Sequence, residues 1–542
     1  MSRISRRELI KIAGSTVVMG ADGRQISVAV QGPGKGLGAF DHVVVLMLEN
    51  RSFDNLLGHL YAPGDVSPGQ SFDGVTGKDL SNPIPSNAPD SDRNVVPVWS
   101  GFEMDNPNPD PGEEYPHVST QLFGTVNPED NLYRSAAAML EPFNTPNPAP
   151  AVAPMNGFVT DYINNFVRTE HRMPTYDEYR VIMHCYRPEV VPVISTLARE
   201  FAVCDHWFCD VPSQTFANRA FFHAASSAGA VINVPFAHWA RRNSAETIFE
   251  RIGSARERGL SWKVYFDEED VFPITALIHY PRLQRFLKTN FFTMQRFFDD
   301  AGNGTLPSYC FIEPRLFLNH NDMHPPIRIA GRTQRSSILA GEALINKVYD
   351  AVRLSNSATG SNFQNTLLVI TFDEHGGCFD HVSPSAASPP DTARPTGQFG
   401  FKFDRLGVRV PAVLVSAYIE PRTIINTEFS HSSMIRTLTD KWNLGHLTER
   451  DRAAANFSEA FNRAAPRPLE DWPIVRSREM PPDLAWANNH DHPPNALQRD
   501  IVGLAVAVGG DSLFHPGEVI TVVDAIARMR KELGWQEQEV KK

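Results

Sequence analysis

The chain has 542 residues, 42% of them hydrophobic, with a formal net charge of −11 and a sequence pI near 5.9. That length and apolar content are enough for a large buried core and exclude bulk disorder. An acidic balance without a long run of Lys or Arg argues against nucleic acid as a partner, and no stretch nears the roughly 18 apolar residues of a membrane span.

Residues 1–38 form an N-terminal segment. In it Ser5-Arg6-Arg7-Glu8-Leu9-Ile10-Lys11, ahead of the mildly apolar Ile12–Ala21, resembles a twin-arginine signal. The expectation is a periplasmic or secreted protein; the alternative is an ordinary basic N-terminus on a cytoplasmic one. The folded domain, expected over residues 39–460, opens with Val43–Leu48. This near-continuous apolar run reads as a covered strand of a mostly parallel sheet. It runs into Glu49 and Asn50. A carboxylate directly after six apolar residues is costly to bury without a cation or a donor, while Asn50 or Ser52 is also a natural cap for a short helix. Residues 61–154, rich in Pro, Asn, Asp, Ser and Gly, read as a long ordered insertion that shapes a site.

A helix over Glu189–Phe201 leads into a strand over Ala202–Phe208. Pro212-Ser213-Gln214-Thr215-Phe216-Ala217-Asn218-Arg219 then enters a helix expected over Phe216–Ala228. Hydroxyls at a helix start face free N–H groups and the positive end of the dipole, which suits a phosphate. Thr215 is a candidate attacking oxygen, and Asn218 and Arg219 are candidate phosphate ligands; N-capping by Ser213 or Thr215 is the plain alternative. Short strands follow at Trp262–Phe266 and Tyr309–Ile312. In His320-Asn321-Asp322-Met323-His324-Pro325-Pro326, prolines pin two histidines around an acid, an arrangement suited to proton transfer to a leaving oxygen or to a metal contact.

An amphipathic helix over Ser336–Val352 precedes the second buried strand, Leu367–Phe372, which runs into Asp373-Glu374-His375-Gly376-Gly377 and on to Asp380-His381. Open parallel sheets place their sites just beyond the carboxyl ends of strands. If both ends meet there, Glu49, Asn50, Asp373 and Glu374 supply four hard oxygen ligands for a divalent metal, and a metal lets an acidic protein handle phosphates. Val410–Ser416 reads as a further strand and Ser430–Trp442 as a helix, with His431 capping or packing at its start. Residues 461–542 form an extension packing on the same domain, Pro-rich over Arg467–Pro494 and helical over Gly517–Gly534. The five cysteines have no C-x-x-C spacing; Cys204 and Cys209 either pair in an exported protein or remain buried thiols.

Five blocks occur in one order: Glu49 to Asp54, Cys204 to Phe208, Pro212 to Arg219, Asn321 to Pro325, and Asp373 through His381. Together they resemble the bacterial phospholipase C and acid phosphatase family, which includes the plant non-specific phospholipases C. The resemblance covers about Asp41 to Asp451. It implies an α/β, alkaline-phosphatase-like fold with a mostly parallel central sheet covered by helices, and hydrolysis of phosphate esters through a covalent phospho-enzyme. By the family motif, Glu49, Asn50, Asp373 and Glu374 hold one divalent metal ion (calcium, magnesium, manganese, iron or zinc). By the same motif Thr215 would be the nucleophile; Asn218 and Arg219 are then expected to bind phosphate, and His324, with His381 as the alternative, to protonate the departing alcohol.

This chain departs from the family pattern twice. The P-N-R triplet is Ala217-Asn218-Arg219, and where many relatives read D-P-G-H it reads Asp110-Pro111-Gly112-Glu113. Glu113 thus stands on the substrate side with His117, His320 and Asp322. The expected substrate is a phosphatidylcholine-like phospholipid, with transient contact to a membrane surface. Alternatives are an acid phosphatase acting on small soluble phosphate esters and an inactive phosphate- or lipid-binding protein.

Overall fold

The computed structural model describes residues 16–19, 25–28, 35–268, 270, 272–316, 320–329, 332–334, 338–391, 396–479 and 496–509. The paired arginines and the helix expected over Gly517–Gly534 lie outside the described residues. The elements that position the site are, in chain order, β1 (His42–Leu48), α1 (Phe53–Leu57), α2 (Tyr115–Phe123), α3 (Phe158–Glu170), α4 (Pro192–Glu200), β2 (Ala202–Cys204), α5 (Thr215–Ala224), β3 (Trp262–Phe266), β4 (Phe291–Thr293), β5 (Tyr309–Ile312), α6 (Ile338–Arg353), β6 (Thr366–Phe372), β7 (Ala412–Val415), β8 (Thr423–Ile425), α7 (His431–Trp442) and α8 (Ala496–Gly509).

One eight-stranded sheet, in the order β8-β2-β7-β6-β1-β5-β3-β4, carries the fold. Every pairing is parallel except those of β7, which runs against both β6 and β2. The apolar runs that predicted strands are fully buried in β1 and β6, as a sheet covered on both faces requires. These two strands lie side by side and in register, with Leu48 opposite Phe372. Glu49-Asn50 and Asp373-Glu374 therefore leave the sheet at one edge. The pairing follows from sequence pattern and sheet geometry; no local signal near either motif names the other as neighbour.

Helices cover the sheet in pairs. α5 packs on α7 and sets Phe222 against Phe311 of β5, ring centroids 5.8 Å apart. α4 packs on α6. α4 begins at Pro192 and has no side-chain cap of its own; Glu342 of α6 accepts from the N–H groups of Val193 and Ile194 at 2.5 and 2.9 Å and closes that end. The strand expected over Ala202–Phe208 divides. Ala202–Cys204 stays in the main sheet, and Trp207–Phe208 pairs with Phe429–Ser430. The insertion builds a second apolar cluster with α2 and α3, including Val96, Val118, Leu122, Phe158 and Tyr179. All five cysteines are free and buried, so Cys204 and Cys209 are not bridged.

Candidate active site

The turn after β1 starts the site. Asn50 sits at φ 58°, in the left-handed region that Asn tolerates better than most residues. This bend lets its N–H donate to Asp373 Oδ1 at 3.2 Å, while the N–H of Glu374 donates to the same oxygen at 2.8 Å. Ser52 then caps α1, accepting from Asn55 N. After β6, Gly376 and Gly377 both have positive φ. A Cβ on Gly376 would lie 2.4 Å from Asn50 O, and one on Gly377 would lie 2.5 Å from Gly112 O. Only glycine lets the two strand-end loops touch.

Thr215 is the first residue of α5, and its hydroxyl donates to Glu49 Oε2 at 3.4 Å. The capping alternative is not what the fold shows. Gln214 occupies the N-cap, but its side chain makes no capping bond, and the N–H of Phe216 goes to Asn233 Oδ1. Arg219, one turn on, donates to Glu49 Oε1, and its Nε lies 3.7 Å from Asp373 Oδ2. Its guanidinium thus stands among the carboxyl groups that the sequence assigned to a metal. Asn218 has a different part. Its amide donates to the carbonyls of Val211, Ser213 and Gln214 and accepts from Val211 N, so it holds the turn that presents Thr215.

The donor set fits a hard cation. Glu49, Asn50, Asp373 and Glu374 are fully buried, and Asn50 Oδ1, Asp373 Oδ2 and Glu374 Oε1 have no hydrogen-bond partner. Buried oxygens left in this state cost free energy unless a cation takes them up. Burial pushes the Glu49 carboxyl well above its usual range despite Arg219. Burial, with Glu113 and Asp373 nearby, does the same to Glu374.

Glu113 and His324 meet at the amide of Asn50. His324 Nδ1 lies 2.9 Å from the Pro325 carbonyl, which can only accept, so Nδ1 carries the proton and Nε2 is an acceptor. Asn50 Nδ2 then donates to His324 Nε2 at 3.0 Å and also to Glu113 Oε2. With both amide hydrogens used, Asn50 Oδ1 is the atom left for a metal. Burial pushes Glu113 up to about 8, with Glu114 adding to the shift, and it lowers His324 against the pull of Asp322. Asp110 completes a trio with Glu113 and His324 whose ligand atoms lie within 4.8 Å of one another.

Glu113→Leu should therefore weaken divalent-metal binding by about 10- to 100-fold, the usual cost of losing an outer partner of a ligand. Calorimetric titration of the metal-free protein measures it. Glu113→Gln, which keeps an acceptor, should recover most of the loss.

The remaining candidates fall into separate surroundings. His117 does not stand in for the missing family histidine; its Nδ1 bonds Asp161 at 2.8 Å. His320 bonds Asp322 at 3.2 Å. Burial lowers its pKa, but the charge and hydrogen bond of Asp322, with the Asp270 charge, together outweigh that and raise it. Asp322 also gives its carbonyl to the N–H of Glu49 at 2.9 Å and its Oδ1 to the N–H of His324 at 3.1 Å, tying the histidine loop to the end of β1. His381 belongs to another cluster. It bonds Asp54 at 2.6 Å and Asp73 at 3.1 Å, and Arg409 pairs with Asp54 and Asp380 at 3.0 and 2.9 Å. Although burial opposes it, these carboxylates raise His381 to about 9.

One supporting residue, Gln214, was missed in the sequence, and His431, read there as capping or packing at a helix start, has a more specific part. Gln214 donates to Glu113 Oε1 at 3.3 Å, and its adjacency to Thr215 was the only hint. His431 accepts from Trp207 Nε1 and donates to the Asp373 carbonyl at 2.6 Å, bracing the end of β6.

A buried oxygen cluster beside a hydroxyl at a helix start is an arrangement that suits phosphate chemistry, and comparison with known proteins gives the class. Residues 40–445 match the Phosphoesterase family, and the chain belongs to that family. It is a phosphoric ester hydrolase. It is 31% identical over 520 residues to non-specific phospholipase C3 of Arabidopsis thaliana, covering 91% of this chain and 88% of that protein. It is 26% identical over 472 residues to phospholipase C B of Mycobacterium tuberculosis, covering 79% and 78%. Among solved structures, a protein in the alkaline phosphatase superfamily from Vibrio parahaemolyticus matches with a TM-score of 0.28 at 12% identity, over 50% of this chain and 65% of that one. That likeness is too slight to argue from; the fold statement rests on the sheet itself. No helix among the described residues is long and apolar enough to cross a membrane.

Proposed function

We propose that this chain is a metal-dependent phospholipase C that cleaves phosphatidylcholine-like lipids to diacylglycerol and a phospho-alcohol through a phospho-Thr215 intermediate. The observation that carries the reading is the Thr215 hydroxyl on Glu49, at the start of α5 and inside the cluster of unpartnered buried oxygens. Thr215 Oγ1 attacks phosphorus, its proton passing to the Glu49 side, and the bond to the glycerol oxygen breaks; water then attacks the phospho-threonine and releases the phospho-alcohol. Arg219 is placed to offset charge that develops on the phosphoryl oxygens. Glu49, Asn50, Asp373 and Glu374 would hold the metal, which supplies Lewis-acid stabilisation of phosphoryl charge when bound.

Glu113, which burial pushes up to about 8, keeps a proton near neutrality to give the leaving alcohol; His324, whose Nε2 accepts from Asn50, could serve only after it takes up a proton there and gives up that bond. The relatives named phospholipase C support the lipid as substrate. The test is a product assay on the metal-loaded protein. Diacylglycerol from phosphatidylcholine is the expected product; free phosphate from soluble monoesters, with no diacylglycerol, would favour a phosphatase instead.

A further inference from the structure

Beside the nucleophile lies a cavity that none of the catalytic steps uses. Its volume is ≈ 290 Å³. At roughly 30 Å³ for each water-sized group, this holds about ten non-hydrogen atoms. One wall is α2, through Tyr115, Leu122 and Phe123; Phe401 faces it, and Ala149 and Ala151 of the insertion form the rim. Two wall residues tie it to the site: Pro212 is three residues before Thr215, and Tyr115 is two after Glu113.

The apolar wall continues as a ladder of rings. Phe221 of α5 stacks on Phe403, which meets Phe401 at 5.0 Å; Phe401 meets Tyr115 at 5.2 Å, and Tyr115 stacks on Phe399 at 5.5 Å. Phe399 and Phe403 are held at φ 57° and 55°, as is Phe143, against Phe399, at 56°. A bulky side chain in the left-handed region is strained, and such strain gathers at ligand clamps.

Arg405 and Asp404 also line the cavity; Arg405 gives Nη2 to the Pro150 carbonyl at 2.8 Å and lies over the Phe123 ring. An apolar chain answers the wall that the rings form.

We propose that this cavity binds an acyl chain of a glycerolipid substrate, laid along the α2–Phe401 wall. The inference rests on the phosphodiesterase reading above and adds what selects a lipid over a small phosphate ester. Ala151 is exposed on the rim, so Ala151→Trp fills the mouth without disturbing the core.

The test compares kcat/KM for dihexanoylphosphatidylcholine with that for p-nitrophenyl phosphocholine, which has no acyl chain. In A151W the ratio of the two should fall by at least about tenfold, the scale on which lost apolar contacts discriminate substrates. A ratio unchanged from wild type overturns the proposal. Should the wild-type protein cleave no phospholipid, the lipid reading of the function fails. The cavity is then judged separately, by calorimetry with dihexanoylglycerol. Binding to wild type that A151W abolishes upholds the site, and no binding to wild type overturns it.

Discussion

Replacing Thr215 by Ala is expected to lower turnover of a chromogenic phosphodiester by about a thousandfold or more, the scale seen when a covalent nucleophile is deleted from other hydrolases. Stability should barely follow. The hydroxyl makes one long bond, to Glu49, and does not cap α5, so its loss should cost no more than about 1 kcal/mol. This contrast separates a nucleophile from a structural threonine: rate collapses while the melting temperature stays nearly fixed. Thr215→Ser keeps an oxygen at the same place and should retain substantial activity. Acid quenching during turnover of a substrate labelled in its head group should trap the labelled phospho-alcohol on wild type and on T215S but not on T215A. Near-normal turnover by T215A would remove Thr215 from the mechanism.

The sequence made the site legible where its ligands follow long apolar runs. Val43–Leu48 and Leu367–Phe372 announce buried strands, and a polar pair at each end then has nowhere to go but the sheet edge. What periodicity cannot reach is the side-chain wiring behind that edge. Asn218 reads like a phosphate ligand because it follows the nucleophile by three residues, yet in the fold its amide serves the carbonyls of the preceding turn. His381 follows the metal motif in sequence, but Asp54, Asp73 and Arg409 come to it from distant segments. β4 and β8 are three residues each, too short for an alternating pattern, and β7 shows its antiparallel direction only once its neighbours are known. Helices α2 and α3 lie in or beside a Pro-rich insertion whose composition hides their spacing. Their starts are marked in the structure by Pro116 at a first-turn position and by the Asn82 side chain, which accepts from Phe158 N.

Metal binding should depend steeply on pH, and the sign follows from burial. In the metal-free chain Glu49 and Glu374 are pushed well above their ordinary value of 4.5, so above that value the folded protein retains protons that the unfolded chain has released. Stability of the metal-free protein from these two groups is therefore greatest at low pH and declines as pH rises from the ordinary value toward the raised ones. A metal reverses the sign, because it needs the carboxylates. Affinity should rise as pH climbs above the ordinary carboxyl value of 4.5, and calorimetry in buffers of different ionisation heat should show net proton release on binding.

Thermal stabilisation by the metal should grow in the same direction. At a thousandfold excess of metal over its dissociation constant the gain is about 4 kcal/mol, and a chelator should remove it together with activity. Arg219 pairs with Glu49 and lies near Asp373, a built-in cation among acids that would otherwise face one another unpaired. Arg219→Met should then leave the metal-free protein markedly less stable while the metal-loaded protein loses less, because the bound ion takes over part of that charge. Metal affinity that is flat with pH and releases no protons would show that Glu49 and Glu374 are not the ligands.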